Sequence, residues 1–548
     1  MNEIEKNLKS EFARATSGVL QMDLGPESVE LSLPREKAHG DYATNIAMKY
    51  AKKAGMNPRE AASRIVEAFD LEKAGADHIE IAGPGFMNVF MKHDSLQGVI
   101  RKVLERKDDY GCSNHGQGKK YNLEYVSANP TGDLHPGHAR GAASGDSTAR
   151  LMKMAGYDVT REYYVNDAGN QINNMAKSLQ ARYLQACGKD AEMPQDGYYG
   201  EDLVIIAGEI FKEIGTKYAD TDLQESLPYF RAYGLKAEVA KLRRDLEEFR
   251  VSFDVWTSEQ DIRDRGLVEK ALNQLKAEGY TYEQDGALFL RSTAFGDDKD
   301  RVLVKSDGSY TYLMPDIAYH LDKLDRGFDA LVNFFGADHH GYVPRLKAAI
   351  QALGYPADKL SVDIIQMARM IKDGQEFKLS KRSGKAVALR DLIDEAGVDA
   401  VRYFFASRAA DTQMDFDLDM AKKQSNENPV YYAQYAHARM CSVLEKGAGI
   451  TFADQYDLIT TDKEMTLLKL MNEFEQVVTD AADSRAPHKM VNFITKLAQA
   501  FHSYYNDTRI LDPEKMELSA QRLALVEACR ITLKNALASI GVSAPDHM

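Results

Sequence analysis

The chain has few cysteines, four in 548 residues, and Cys112, Cys187, Cys441 and Cys529 form no C-x-x-C pair. That scarcity speaks against a disulfide scaffold or a zinc ribbon and leaves reduced core thiols as the expected state. No uninterrupted apolar run reaches the roughly eighteen residues of a membrane-spanning helix. Met1 to Leu20 is charged and amphipathic, without the apolar core of a leader peptide. A soluble, cytoplasmic protein with no membrane partner is expected. Positive charge is the minority sign, 69 Lys and Arg against 83 Asp and Glu, for a net charge of −14. This argues mildly against wholesale polyanion binding, although a basic face can coexist with an acidic remainder. The length exceeds what one core organises, so about two to four domains are expected.

The stretch with most chemistry is N-P-T-G-D-L-H-P-G-H-A-R, Asn129 to Arg140, directly after the apolar, β-prone run Tyr121 to Ser127. A strand that breaks at a Pro-Thr-Gly turn and opens a helix presents free backbone N–H groups and the positive end of the helix dipole, which suits an anion. His135 and His138 stand where turn becomes helix, and Gly137 between them removes a Cβ that would obstruct a close ligand. Alone, this is a strand-to-helix turn with two solvated histidines. A second stretch lies far downstream, Lys378-Leu379-Ser380-Lys381-Arg382-Ser383-Gly384-Lys385, with four cations in eight residues.

In this order, the two stretches resemble the H-I-G-H and K-M-S-K-S signatures of class I aminoacyl-tRNA synthetases. The physical logic agrees: histidines and helix N-terminal amides hold a triphosphate, while a lysine loop neutralises charge as pyrophosphate leaves. The resemblance implies catalytic and ATP-binding roles for His135, His138, Lys378 and Lys381, with Gly137 beside the nucleotide, and a loop that closes through Ser380 and Gly384.

Apolar runs at Tyr121 to Ser127, Asp158 to Val165, Ala330 to Phe335 and Val362 to Gln366 alternate with helical stretches, which predicts an α/β, doubly wound parallel sheet. Its ligand belongs at the carboxyl ends of the strands, where the His135/His138 turn lies. Between Gln171 and Gly279 the chain is mostly charged and helical and reads as an insertion, with Phe253 to Trp256 near its return.

The substrate narrows on E-Y-V-S-A-N-P-T-G-D-L-H-P-G-H-A-R together with Y-T-Y-L-M-P-D-I-A-Y, which resemble arginyl-tRNA synthetases. A guanidinium is planar, permanently charged and forked, so its pocket needs carboxylates and a flat partner. Tyr312 and Asp316 share a helical face if a helix starts at Pro315. Strand alternation does not by itself bring Glu124 and Asn129 together, but a break at Asn129-Pro130 does. The resemblance implies that Glu124, Tyr312 and Asp316 hold the guanidinium and that Ser127 and Asn129 hold the α-amino end. It places His339, in F-G-A-D-H-H-G-Y, beside adenosine and arginine. His339 and His340 have no third ligand at metal spacing, so no protein-held metal is expected. Such a pocket discriminates by leaving polar groups unpaired, so no editing domain is required.

Residues 1–112 read as an α+β unit. Ile4, Leu8, Phe12 and Val19/Leu20 mark one helix, Asp41 to Ala51 another, and His78 to Ala82 with Phe86 to Met91 a hairpin through Gly83-Pro84-Gly85. H-G-D-Y-A-T-N-I-A-M and A-G-P-G-F-M-N resemble the N-terminal extension of the arginyl enzymes, which contacts the tRNA elbow. Tyr42, Phe86 and Asn88 either stack on and hydrogen-bond RNA or pack the small sheet.

From Gly397 the pattern is helical to the end, for example at Leu467, Leu470/Met471, Phe474 and Val477/Val478. N-P-V-Y-Y-A-Q-Y-A-H-A-R, Asn428 to Arg439, resembles the family's anticodon-binding domain, and S-A-P-D-H-M its terminus. Tyr432, Tyr435 and Tyr505 are expected to meet anticodon bases or to be core, and Met548 to touch tRNA.

The expected layout is residues 1–112, a Rossmann-like catalytic domain at 113–395 with the helical insertion at about 171–279, and an all-α bundle at 396–548. The implied activity is ATP-dependent ligation of arginine to tRNA(Arg), with Mg2+ accompanying ATP, by a monomer. Two rivals are a small-molecule nucleotidyltransferase, which has no use for the terminal domains, and a non-catalytic tRNA-binding protein, which would be expected to lose His138 or Lys381.

Overall fold

The computed structural model describes residues 3–32, 34, 36, 39–377 and 386–548. Its first helix, Glu3–Leu20, buries Ile4, Leu8 and Phe12 at four-residue spacing. It packs on helices Pro58–Ala68 and Leu71–Ala74, which in turn lie against an antiparallel sheet with strand order Leu31–Ser32, Tyr42–Thr44, Phe86–Met91, Ala76–Ala82. The helix expected over Asp41 to Ala51 is confined to Ile46–Tyr50. Tyr42 to Thr44 instead pairs with Met87 to Val89, so sheet pairing of a β-prone triplet overrides the helical period. The hairpin turns through Gly83 and Gly85, both at positive φ, and a Cβ on Gly85 would lie 2.9 Å from the Pro58 carbonyl oxygen.

The central sheet has five parallel strands in the order Leu360–Ile365, Ala330–Gly336, Lys120–Glu124, Asp158–Val165, Val255–Ser258. Helix Pro136–Met154 crosses from the central strand to its neighbour and buries nearly every residue after its first turn. The first strand ends three residues earlier than expected, because Val126 and Ser127 have φ of 71° and 40°. The edge strand Val255–Ser258 was not anticipated as part of this sheet.

Helices Asn170–Ala186, Glu201–Ile214 and Leu223–Glu248 have their own apolar core, including Ile172, Leu179, Ile210 and Phe230. After the edge strand, helices Glu259–Asp264 and Leu267–Ala277 lead to a three-stranded antiparallel sheet, Thr281–Gln284, Ala287–Leu290 and Arg301–Val304, also not foreseen. Each of these strands has four residues, too few for a period of two to stand out.

Beyond Leu389 the chain is helical apart from Met414–Asp417, which lies parallel to Ala368–Lys372 in a small sheet. The bundle comprises Pro429–Lys446, Asp462–Asp483, His488–Asp507 and Met516–Ser539. Thr461 and Glu464 cap the second of these reciprocally. Apolar packing is continuous from the N-terminal unit through the sheet to the bundle. Arg402, fully buried, pairs with buried Asp146 at 2.5 Å and donates to the carbonyls of Ile540 and Phe249. One side chain thus ties the bundle's last helix and the end of the insertion to the helix under the site. Among the described residues, no helix is long and apolar enough to cross a membrane.

Candidate active site

A cleft of about 840 Å3 opens at the carboxyl ends of the central strands. Its lining brings together Glu124, Ser127, Asn129, Tyr312, Asp316 and His339. His135, Gly137 and His138 form another part of the same wall. Lys378, Ser380, Lys381 and Gly384 lie outside the described residues.

The two consecutive left-handed residues build the floor. Left-handed backbone is costly for a β-branched side chain, and here it reverses the chain immediately after the strand. Ser127 Oγ consequently donates to Glu124 Oε1 at 3.0 Å and accepts from the Tyr164 N–H at 3.1 Å. The turn that brings Glu124 toward Asn129 is thus at Val126-Ser127, ahead of the Asn129-Pro130 break expected from sequence. Tyr163 donates to the Ala128 carbonyl at 2.8 Å, and Asn129 Nδ2 to Gln171 Oε1 at 2.6 Å.

His135 is the N-cap of helix Pro136–Met154, and its Nδ1 accepts from the N–H groups of Gly137 and His138 at 3.1 and 3.3 Å. The two imidazoles stack, with centroids 3.6 Å apart and planes 21° from parallel. Burial lowers both pKa values, and the neighbouring His135 helps bring His138 down to about 3. Both rings are therefore neutral near pH 7, suited to hydrogen bonding. A Cβ on Gly137 would lie 2.9 Å from His135 Cε1.

Helix Leu313–Asp325 starts at Leu313 with Tyr312 as N-cap, two residues ahead of the expected Pro315 start. Asp316 sits in its first turn, where the dipole favours an anion. Burial opposes its charge, but His320, Tyr342 and Lys323 hold the carboxyl below its usual range. Tyr312 stands at the cleft's rim, 83% exposed, and His339 is also exposed, 3.4 Å from Asp338.

Behind this wall lie buried groups to which no sequence motif assigns a role. Lys323 Nζ lies 2.5 Å from Glu124 Oε2. Arg140 is fully buried and donates to the carbonyls of Gln366, Ala409 and Thr412. The spacing of Asp316, His320 and Lys323, four and then three positions apart on one helix, was the available signal for the first of these.

The residues expected at tRNA separate by exposure. Tyr42 and Asn88 are buried, with Asn472 of the bundle donating to Tyr42 Oη at 3.3 Å, whereas Phe86 is 42% exposed. Tyr432, Tyr435 and Tyr505 are half-buried, and the Arg439 guanidinium lies 4.5 and 4.6 Å from the Tyr435 and Tyr505 rings. Met548 is exposed. Among the described residues, His437, Cys441 and Asp546 bring metal-capable atoms within 4.8 Å of one another. The three side chains contact one another through Cys441 Sγ, 3.7 Å from His437 Nδ1 and 3.5 Å from Asp546 Oδ1. His437 Nδ1 bonds to the Pro545 carbonyl at 3.0 Å, and burial raises the Cys441 thiol to about 11.

Comparison with known proteins covers the whole chain. The family model for the arginyl tRNA synthetase N-terminal domain matches residues 2–91, that for the catalytic domain of class I (R) tRNA synthetases residues 99–442, and that for the DALR anticodon binding domain residues 433–548. The arginine–tRNA ligase of Bacillus licheniformis is 55% identical over 549 residues, covering 99% of this chain and 98% of that one. An arginyl-tRNA synthetase structure from Campylobacter jejuni is 34% identical with a TM-score of 0.77, covering 84% of this chain and all of that one. The Thermus thermophilus arginyl-tRNA synthetase, 22% identical, shares the fold over 99% of both chains with a TM-score of 0.76.

Proposed function

The chain belongs to the arginyl-tRNA synthetase family of class I, and from that premise we propose how its cleft performs the family's reaction. It is an ATP-dependent arginine–tRNA ligase. In the proposed reaction, an oxygen of the arginine carboxylate attacks the α-phosphorus of ATP and the bond to the β-phosphate oxygen breaks. This yields arginyl-adenylate and pyrophosphate. The 2′-OH of the terminal adenosine of tRNA(Arg) then attacks the activated carbonyl, its proton is lost and AMP leaves. No protein nucleophile takes part; positioning and charge stabilisation lower the barrier.

Glu124 and Asp316 take the guanidinium, with Tyr312 closing over it from the rim. Ser127 and Asn129 hold the α-amino end, and His339 lies beside the adenosine. His135 and His138, as neutral donors, with the helix N-terminus behind Gly137, hold the phosphates. Lys378 and Lys381 neutralise the departing pyrophosphate, and Mg2+ enters with ATP. Residues 113–395 carry the chemistry. Residues 1–112, through Phe86, and 396–548, through Tyr432, Tyr435, Tyr505 and Met548, meet tRNA. The protein works as a monomer in the cytoplasm.

The observation that carries this reading is that Glu124 and Asp316 line the same cleft as the stacked histidine pair. Steady-state aminoacylation tests it. Glu124→Gln and Asp316→Asn should each raise the arginine KM by about 100-fold, the cost of one charge-assisted hydrogen-bonded contact. An unchanged arginine KM in both variants would mean that the guanidinium binds elsewhere.

A further inference from the structure

The two carboxylates assigned to the guanidinium are joined behind the cleft by three buried side chains. Lys323 Nζ is 2.5 Å from Glu124 Oε2 and 3.4 Å from Asn333 Oδ1. Asn333 Nδ2 donates to His320 Nε2 at 2.8 Å. His320 Nδ1 is 2.8 Å from the Asp316 carbonyl oxygen and 3.1 Å from Asp316 Oδ1. Lys323, Asn333 and His320 are at most 1% exposed. Two regular spacings build this line. Asp316, His320 and Lys323 share one face of helix Leu313–Asp325, and Asn333 lies directly across from Glu124 in the parallel ladder.

The hydrogen bonds set the tautomer of His320. Because Asn333 donates to Nε2, that nitrogen is an acceptor and the proton of a neutral imidazole sits on Nδ1, pointing at Asp316. Other charged and phenolic groups face this line from neighbouring elements. Glu162 accepts from Asn122, Thr257 and, with both oxygens, Arg326 Nη2, and against its burial Lys323 as well as Arg326 helps hold its carboxyl below the usual range. Tyr319 faces Lys323 with its ring, 4.1 Å from Nζ, and Tyr164 and Tyr342 are uncharged phenols. With Glu124 balanced by Lys323, the guanidinium end of the pocket keeps the one negative charge of Asp316, the complement of one guanidinium.

We infer that Lys323, Asn333 and His320 are positioning residues for arginine specificity, holding Glu124 and Asp316 at a fixed spacing and setting the pocket's net charge at −1. This rests on the assignment of the guanidinium to those two carboxylates. A neutral analogue of arginine leaves that charge unpaired in a buried site, and a pocket without Lys323 holds one anion too many. Without its cation, Glu124 takes up a proton when the pocket is empty and must release it to receive the guanidinium.

Isothermal titration of the full-length protein with arginine, in two buffers of different ionisation enthalpy at pH 7, reads both affinity and proton count. The parent protein should bind with about zero protons exchanged, and Lys323→Met should bind about 10-fold or more weakly and release about one proton per arginine. Asn333→Leu keeps every charge and breaks the line at its centre. It should weaken arginine binding about 10-fold while leaving the ATP KM unchanged, and it decides the matter if Lys323→Met does not fold. Parent-like affinity and proton count in Lys323→Met, or parent-like arginine affinity in Asn333→Leu, would overturn the inference. Glu124→Gln in the same titration separates the two levels. If it binds arginine as the parent does, the guanidinium assignment itself falls; if it binds weakly while the other two variants bind normally, only the positioning role falls.

Discussion

Lys241 Nζ lies 2.5 Å from Asp133 Oδ1, joining the insertion to the loop that leads into His135. The same ammonium is 3.0 Å from Asp202 and 3.9 Å from Glu238. On the other side of that loop, the Leu389 N–H donates to the Leu134 carbonyl at 2.6 Å, and Arg390 pairs with Glu248 of the insertion. The turn before His135 is therefore held by the helical insertion and by the helix that follows the second signature.

Removing Lys241 releases one side of that turn and strands the Glu238 and Asp202 carboxylates. Lys241→Met should lower unfolding free energy by about 3 kcal/mol, as when one partner of a buried ion pair is deleted. It should also raise the ATP KM more than the arginine KM. Denaturant titration and paired substrate titrations check both outcomes, and equal effects on the two KM values would contradict the link to the histidine turn.

Glu238 makes stability fall with pH near neutrality. Burial pushes its carboxyl up to about 7, with Asp202 and Asp133 adding to the shift against the opposing Lys241. Between its unfolded value near 4.5 and about 7 the folded protein holds the extra proton. Stability from this group is thus complete below about pH 4.5 and is lost as pH rises toward 7, by about 2 to 3 kcal/mol. Glu238→Gln should flatten the stability profile over that window relative to the parent, measured as unfolding midpoints from pH 5 to 8.

His138 should remain uncharged far below the ordinary histidine range, since burial and His135 bring it to about 3. Nitrogen-15 chemical shifts of its ring should report a neutral imidazole at pH 5 in the ligand-free protein. The unfolded chain takes its proton near pH 6.5, so this group costs stability as pH falls through about 6.5. A midpoint near 6.5 in the folded protein would contradict the packing described.

Gly137→Ala tests the space between the histidines. Its Cβ would meet His135 Cε1 at 2.9 Å and Met367 Sδ at 3.3 Å, displacing the ring that caps the helix. The expected loss is about 10-fold or more in kcat/KM for ATP, with stability changed by only about 1 kcal/mol, the scale of one N-cap. An unaffected ATP titration would show that the ring's placement is not needed.

Much of the framework could be read from residue pattern, because the strands at Asp158–Val165, Ala330–Gly336 and Leu360–Ile365 are long enough for β-prone runs to stand out. Val255–Ser258 is a four-residue edge strand whose pairing with Asp158–Val165 depends on register, which composition does not carry. The turn at Val126-Ser127 was hidden for the opposite reason, since a β-branched residue is the last expected at positive φ. Among site residues, Glu124, Asp316 and the histidines were visible through motif and substrate chemistry. Lys323, Asn333 and His320 were not, because Asn333 reaches His320 only once the parallel ladder sets it opposite Glu124. Tyr42 and Asn88 have the periodicity of either a surface or a core; both are buried, Tyr42 against Asn472 of the bundle.

Amino-acid-dependent ATP–pyrophosphate exchange, run with each proteinogenic amino acid in the presence and absence of tRNA(Arg), tests the central claim most directly. The account predicts exchange with arginine alone, seen when tRNA is present. Exchange with a different amino acid, and none with arginine when tRNA is bound, would contradict it.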